Sequence, residues 1–176
     1  MNEIKSNVFN NEISKNLVKV LNNLLKIKPL IITLKNSQIE LQNKAGFDLS
    51  TSDVIEIGEE KLNACANGCQ NIASILNDEI ENDSKLENFE KTILHPLDGA
   101  MSILIVIQDS LKQDALYFEN KDDINNNIEC VTGIESNIDS ANMIWNLLNE
   151  QVSETLYENY YKLEKELKEE LVIETN

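Results

Sequence analysis

TSDVIEIGEEKLNACANGCQNIASILNDEI, residues 51–80, places apolar or small side chains at Val54, Gly58, Leu62, Cys65, Cys69, Ile72, Leu76 and Ile80. Steps of three and four residues put this set on one face of an α-helix, whereas a half-buried strand would alternate. Ser52 is a candidate N-cap, and Glu56 and Glu59 put negative charge near the positive end of the helix. From here to the C-terminus the same period persists. Asn82-Asp83-Ser84 interrupts it, and Ser84 with Glu87 forms a capping-box signature for a restart. Leu86, Phe89, Ile93 and Leu94 then lead to His95-Pro96, where proline suits the first turn of a new helix.

That next helix is expected over about 97–118. Its stretch Met101 to Ile107 is apolar almost all round, the pattern of a central helix surrounded by others. Residues 120–127 read as a polar turn. Ile124, Ile128, Val131, Ile134, Ile138, Ala141, Trp145, Leu148 and Val152 then resume helical spacing, with Gly133 the only breaker. The final segment carries Leu156, Tyr160, Leu163, Leu167 and Leu171 on one face. Glu158 with Lys162 and Glu164 with Lys168 offer favourable pairs one turn apart.

Upstream of residue 51, Val8, Ile13, Leu17, Val20, Leu24 and Ile27 follow helical spacing until Pro29, which is expected to stop the helix. Leu30–Leu34 and the alternating Gln38–Gln42 flank Lys35-Asn36-Ser37, so a short β-hairpin over about 30–42 stays open. The fold class is all-α: a helical bundle with long antiparallel helices. Charge divides the chain. Residues 1–35 hold six lysines against two acids, a balance of +4, while residues 36–176 hold nine against 29, or −20. The expected organisation is a basic amphipathic N-terminal arm, 1–35, and an acidic helical bundle with an extended C-terminal helix, 36–176.

The whole chain, 176 residues, has a net charge of −16, and all 15 of its basic residues are lysine. Nucleic-acid binding needs clustered positive charge, and bidentate phosphate or guanine contacts need arginine, so nucleic acid is not the expected partner. Three cysteines do not form a disulfide framework. No apolar stretch approaches the ~20 residues that span a bilayer, and the first residues lack a signal-peptide core. A cytoplasmic protein with no cofactor is expected.

Four groups of residues invite chemistry. Cys65 and Cys69 lie one helical turn apart and, with Cys130 and His95, would complete a Cys3His zinc set, although core thiols are the plainer reading. The basic arm could lie on anionic lipid or dock on the acidic body. Tyr157, Tyr160 and Tyr161 form the densest aromatic patch, and tyrosines anchor interfaces. The acidic stretches Asp78, Glu79, Glu81 and Glu164, Glu166, Glu169, Glu170 would steer a positively charged partner.

His95, Leu97 and Gly99 stand in the order His-x-Leu-x-Gly. This resembles the histidine phosphotransfer domains, four-helix bundles whose marker is His-x-Leu-Lys-Gly. The resemblance covers seven residues, His95 to Met101, and implies His95 as phosphoryl acceptor; Asp98 stands where that family has Lys. No nucleophile elbow, phosphate loop or dinucleotide fingerprint is present, so an enzyme is not expected. The expected function is an acidic helical protein-interaction module of adaptor, chaperone, immunity or inhibitor type that binds a basic protein partner, with a homodimer also open. The alternatives are phosphotransfer through His95 and a DNA-mimic inhibitor of a nucleic-acid-binding enzyme.

Overall fold

In the computed structural model, residues 3–45, 51–76, 82–120 and 124–174 are described. The elements are α1 (Glu3–Ala45), α2 (Thr51–Ile75), α3 (Asn82–Phe89), α4 (His95–Glu119), α5 (Ile124–Leu148) and α6 (Glu154–Glu174). Single π-helical segments, Glu90–Leu94 and Asn149–Ser153, join α3 to α4 and α5 to α6. Phe89, His95, Leu148 and Glu154 at their ends all keep right-handed helical dihedrals, so each join is continuous. The architecture is therefore four long helices, and no strand occurs among the described residues.

Side-chain bonds fix the arrangement. Ser14 Oγ donates to the Ala73 carbonyl, Ser37 Oγ to Asn137 Oδ1, Asn16 Nδ2 to Asn159 Oδ1, and Thr51 Oγ1 to Asp114 Oδ2. Each pairs an early residue of one helix with a late residue of its neighbour, so adjacent helices run antiparallel. α1 packs on α2 and on the α5–α6 helix, and α4 packs on α2 and α5, which puts α1 and α4 on opposite corners.

One heptad rule builds the core. α1 buries Ile13, Leu17, Val20, Leu24, Ile27, Ile31, Leu34, Gln38 and Leu41, and α2 buries Thr51, Ile55, Gly58, Leu62, Cys65, Cys69, Ile72 and Leu76. Steps of four and three alternate without a break in both, the signature of a left-handed bundle. The other two helices each carry one residue too many. Lys85, Phe89, Ile93 and Leu97, and again Ile144, Leu148, Val152 and Leu156, step by four three times in succession. Each excess residue falls in a π segment, where the His95 N–H bonds the Glu90 carbonyl and the Glu154 N–H bonds the Asn149 carbonyl, five residues back. The wider turn absorbs the insertion and returns the following residues to the core face.

Two expectations about the N-terminal part are corrected. Pro29 does not stop α1, and residues 30–42 are helical rather than a hairpin. Pro29 sits on the solvent face, as does Leu25, whose carbonyl loses its N–H partner to the proline ring. An exposed carbonyl is satisfied by water, so the helix continues. The alternation of Gln38–Gln42 that suggested a strand begins with Gln38, a polar residue at a core position. Its Oε1 accepts from Asn137 Nδ2 at 2.9 Å within the bundle. Within the expected arm, 1–35, Ile13, Leu17, Val20, Leu24, Ile27, Ile31 and Leu34 belong to the shared core, and position 35 lies within α1.

Gly68 marks a close approach of two helices. An ideal Cβ there would sit 2.0 Å from the Thr92 carbonyl oxygen in the first π segment. Only glycine fits, and Pro96, four residues beyond Thr92, has no N–H to offer that carbonyl.

Candidate functional site

The apolar surplus of α4 does not mark a surrounded helix. Leu104 and Ile107 face the core, but Ile105 and Val106 are 48% and 51% exposed, and Leu116 and Tyr117 are likewise half exposed. α4 stands at a corner of the bundle, and its outward side carries Ile105, Val106, Leu116 and Tyr117 among polar and charged residues. Between it and α5 runs a groove of about 470 Å³ lined by Ile105, Gln108, Asn142, Trp145 and Asn146. Trp145, the single tryptophan, is half-buried there, and its indole N–H is buried without an acceptor among the described residues.

Acids line this seam. Asp109 lies one turn beyond Ile105, and Glu135 and Asp139 lie two turns before Asn142 and Asn146 on the same side of α5, all exposed. Lys112 of α4 lies 3.4 Å from Asp109. Seven residues before Ile105, Asp98 Oδ2 accepts a 2.7 Å hydrogen bond from the Tyr157 hydroxyl of α6. Burial and the Asp98 carboxylate push the Tyr157 hydroxyl up to about 12. The α4 seam therefore runs from the α6 tyrosines through Trp145 to the acids of α5.

The expected tyrosine patch divides in two. The Tyr160 ring tilts against Phe89 at 5.8 Å, and Tyr157 is bound to Asp98, so both close the α3–α4 junction. Tyr161, 59% exposed and 6.4 Å from Tyr157, is the member that faces solvent. Among the acids, Glu164 is 2.7 Å from Lys168, Glu169 is 3.9 Å from Lys165, and Glu166 is half-buried. Lys162 reaches Glu12 of α1 at 3.5 Å rather than Glu158. Asp78, Glu79 and Glu81 lie outside the described residues, as does the side chain of Glu170.

The four members of the zinc set do not converge. Cys65 and Cys69 are fully buried together, and the thiol–thiol hydrogen bond and burial hold the Cys65 thiol far above its ordinary range. Cys65 lies near Asp98, while Cys130 shares a cleft with Phe118 and Leu41. Asp98 and Phe118 are 20 residues apart on α4, about 30 Å. All three cysteines are free thiols, and no group of three metal-ligating residues occurs among the described residues.

His95 is 62% exposed, with Nε2 3.5 Å from Glu90 Oε1. The helix passes straight through Pro96, and Gly99 follows one turn on. Lys61 of α2 lies over Gly99: an ideal Cβ there would stand 2.7 Å from Lys61 Cδ and 3.6 Å from its Nζ. An ammonium group thus sits beside the histidine face, although α4 itself supplies Asp98.

A second cleft, about 670 Å³, opens where α1, α4 and α5 end or begin, between Leu41, Lys44, Phe118, Asn127 and Cys130. No helix among the described residues is long and apolar enough to cross a membrane. Comparison with protein-family models, with curated proteins and with solved structures finds no match for this chain.

Proposed function

We propose that this chain is a cytoplasmic protein-interaction module that captures a basic partner along the α4–α5 seam. One observation carries the reading: an outward apolar row, Ile105 and Val106, beside a half-buried Trp145, bordered by Asp109, Glu135 and Asp139. Half-exposed Ile, Val, Leu and Tyr on one helix are what interaction surfaces carry, with tryptophan as the usual anchor. The acids would steer a positive surface to the seam, and the apolar row would hold it after water leaves. Tyr161 extends the same side of the molecule toward α6. The described acids are spread over α2, α4, α5 and α6, which favours partner capture over imitation of a phosphate strand.

The test uses Trp145 as reporter. Titration with a lysine-rich amphipathic helical peptide should shift its emission to the blue and saturate, more weakly at high salt. Ile105→Glu should abolish the shift while leaving the helical circular dichroism intact. A titration that leaves the emission unchanged overturns the reading.

Phosphotransfer through His95 is the second reading, favoured by an exposed imidazole on an unbroken helix with Gly99 and the Lys61 ammonium one turn away. It requires an acid-labile label on incubation with phosphorylated receiver domains, lost in His95→Ala. Absence of that label eliminates it.

A further inference from the structure

The outer face of α1 is the physical complement of the α4–α5 seam. Lys15, Val18, Lys19, Asn22, Leu25 and Lys26 are all exposed and fall on one side of the helix, Lys15, Lys19, Asn22 and Lys26 at four- and three-residue steps with Val18 and Leu25 beside them. They form a stripe about 16 Å long with three cations around two half-exposed apolar side chains. Lys15, Lys19 and Lys26 make no ion pair with any described residue, in a chain whose net charge is −16. By contrast Lys35, on the flank of α1 that meets α2, is 3.2 Å from Glu56 and 3.6 Å from Glu59. The bundle uses its acids where lysines point inward along a seam and leaves the outward lysines of α1 unmatched.

The seam between α4 and α5 carries the opposite charge beside its own apolar row. It offers three exposed acids, Asp109, Glu135 and Asp139, on one side of Ile105 and Trp145, toward the end of α4 and the start of α5, with Lys112 3.4 Å from Asp109. Resting on the reading of that seam as a binding surface, we infer that its basic partner is a second copy of this chain, whose α1 stripe docks into it. The apolar side chains of the stripe then meet Ile105 and Trp145, and its lysines face Glu135, Asp139 and the Asp109 carboxylate that Lys112 also approaches. The net charge does not forbid the contact, because at physiological salt charges beyond about 8 Å are screened while touching pairs are not. An anionic bilayer suits the lysine stripe less well, since two apolar residues give it little to insert and the remaining body is strongly negative.

Because α1 and α4 occupy opposite corners, a molecule that uses one face still presents the other. The contact is heterologous and does not close within a pair, so association continues beyond the dimer.

Sedimentation velocity on the full chain tests this. The average mass should rise past that of a dimer as concentration increases from about 10 to about 500 μM, a range set by the affinity expected of a small polar interface. The triple variant Lys15→Glu/Lys19→Glu/Lys26→Glu should weaken association about tenfold or more, and so should Asp109→Lys/Glu135→Lys/Asp139→Lys. All six positions are exposed, so both variants should retain the helical spectrum of the wild type. Mixed in equal amounts, the two variants should associate again, because each supplies the charge the other has lost. A wild type that stays monomeric, or association that neither triple variant weakens, or variants whose mixture stays monomeric, overturns the inference. If the lysine-rich peptide still shifts Trp145 in that case, the seam remains a binding surface for another partner; if it does not, both readings fall.

Discussion

α1 and α4 face one another across the bundle, and their inward sides are built alike. Leu24 and Ile27 in α1 and Leu104 and Ile107 in α4 occupy equivalent steps of one heptad pattern and are almost fully buried. Their outward sides share no such rule. α1 turns Lys15, Lys19 and Lys26 to solvent, and α4 turns Ile105, Val106, Leu116 and Tyr117. The inward rows satisfy the demand of the fold, which any bundle imposes. The outward rows are free of that demand, so what they carry reflects what the molecule meets.

The largest effect should come from testing the heptads themselves. α1 alternates its steps without a break, so deleting Asn22 would rotate every later residue by about 100° and expose half the core row. That variant should lose its cooperative thermal unfolding. Deleting Lys91 from the first π segment removes the excess residue instead, and leaves Phe89 and Leu97 at strict heptad spacing. It should keep a cooperative transition, at the cost of the exposed Lys91–Glu87 ion pair. Equal damage from the two deletions would break the contrast between an uninterrupted helix and one with an insertion.

Next in size are neighbours on the two sides of α4. Leu104→Ala opens a cavity in a sealed core and should destabilise by about 2–5 kcal/mol in denaturant unfolding, as should Leu24→Ala in α1. Ile105→Ala and Leu25→Ala, one residue along, should each stay within about 1 kcal/mol. If Ile105→Ala proved as costly as Leu104→Ala, the outward row of α4 would be structural and the seam would lose its claim to be a binding surface.

Much of this was legible in residue order. Every long helix after residue 51 announces itself by three- and four-residue steps, and the Glu164–Lys168 pair stands where its spacing places it. The hairpin expected over residues 30–42 is helical for a physical reason. Periodicity is seen through contrast between faces, and Gln38 at a core position removed the contrast that would have carried α1 past Pro29. The same loss of contrast hid the seam. Along Met101–Ile107 both sides of the helix are apolar, a pattern that a surrounded helix and a corner helix with a sticky outer face share. Nothing in the order of residues separates the two, because the distinction lies in how many neighbours the helix has. The tyrosines of α6 were visible as a cluster, but which of them the fold consumes depends on Phe89 and Asp98, 71 and 59 residues away from Tyr160 and Tyr157.

Gly68 sharpens the comparison at the α2 surface, which both corner helices share. Lys35 of α1 reaches α2 through long side chains, whereas Thr92 at the foot of α4 meets it backbone to backbone. Gly68→Ala must push the two helices apart, since the atom its Cβ would strike is a main-chain carbonyl that cannot swing away. A loss of about 1–3 kcal/mol is expected. Gly58→Ala on the same helix, where the nearest atom is a methyl of Ile103 at 3.3 Å, should cost less, and the difference between the two isolates the backbone contact.

The smallest effect tests whether the Tyr157–Asp98 bond belongs to the fold or to the surface. Tyr157→Phe keeps the ring over the α4 seam and removes only the donor to Asp98, so its cost should not exceed about 1 kcal/mol. The pH dependence identifies it. The hydroxyl is held at about 12, above its ordinary 10, because burial and a neighbouring carboxylate both oppose the phenolate. A group with a raised folded-state value contributes its full share below the unfolded value, so the deficit of Tyr157→Phe should be constant up to about pH 9. It should then shrink as pH climbs from 10 toward 12, where folding alone still forces the wild-type hydroxyl to keep its proton. A deficit that ignores pH across that window would mean that Tyr157 acts through its ring alone. The Tyr157 hydroxyl would then be free to meet a binding partner beside Tyr161, while Tyr160 stays packed on Phe89.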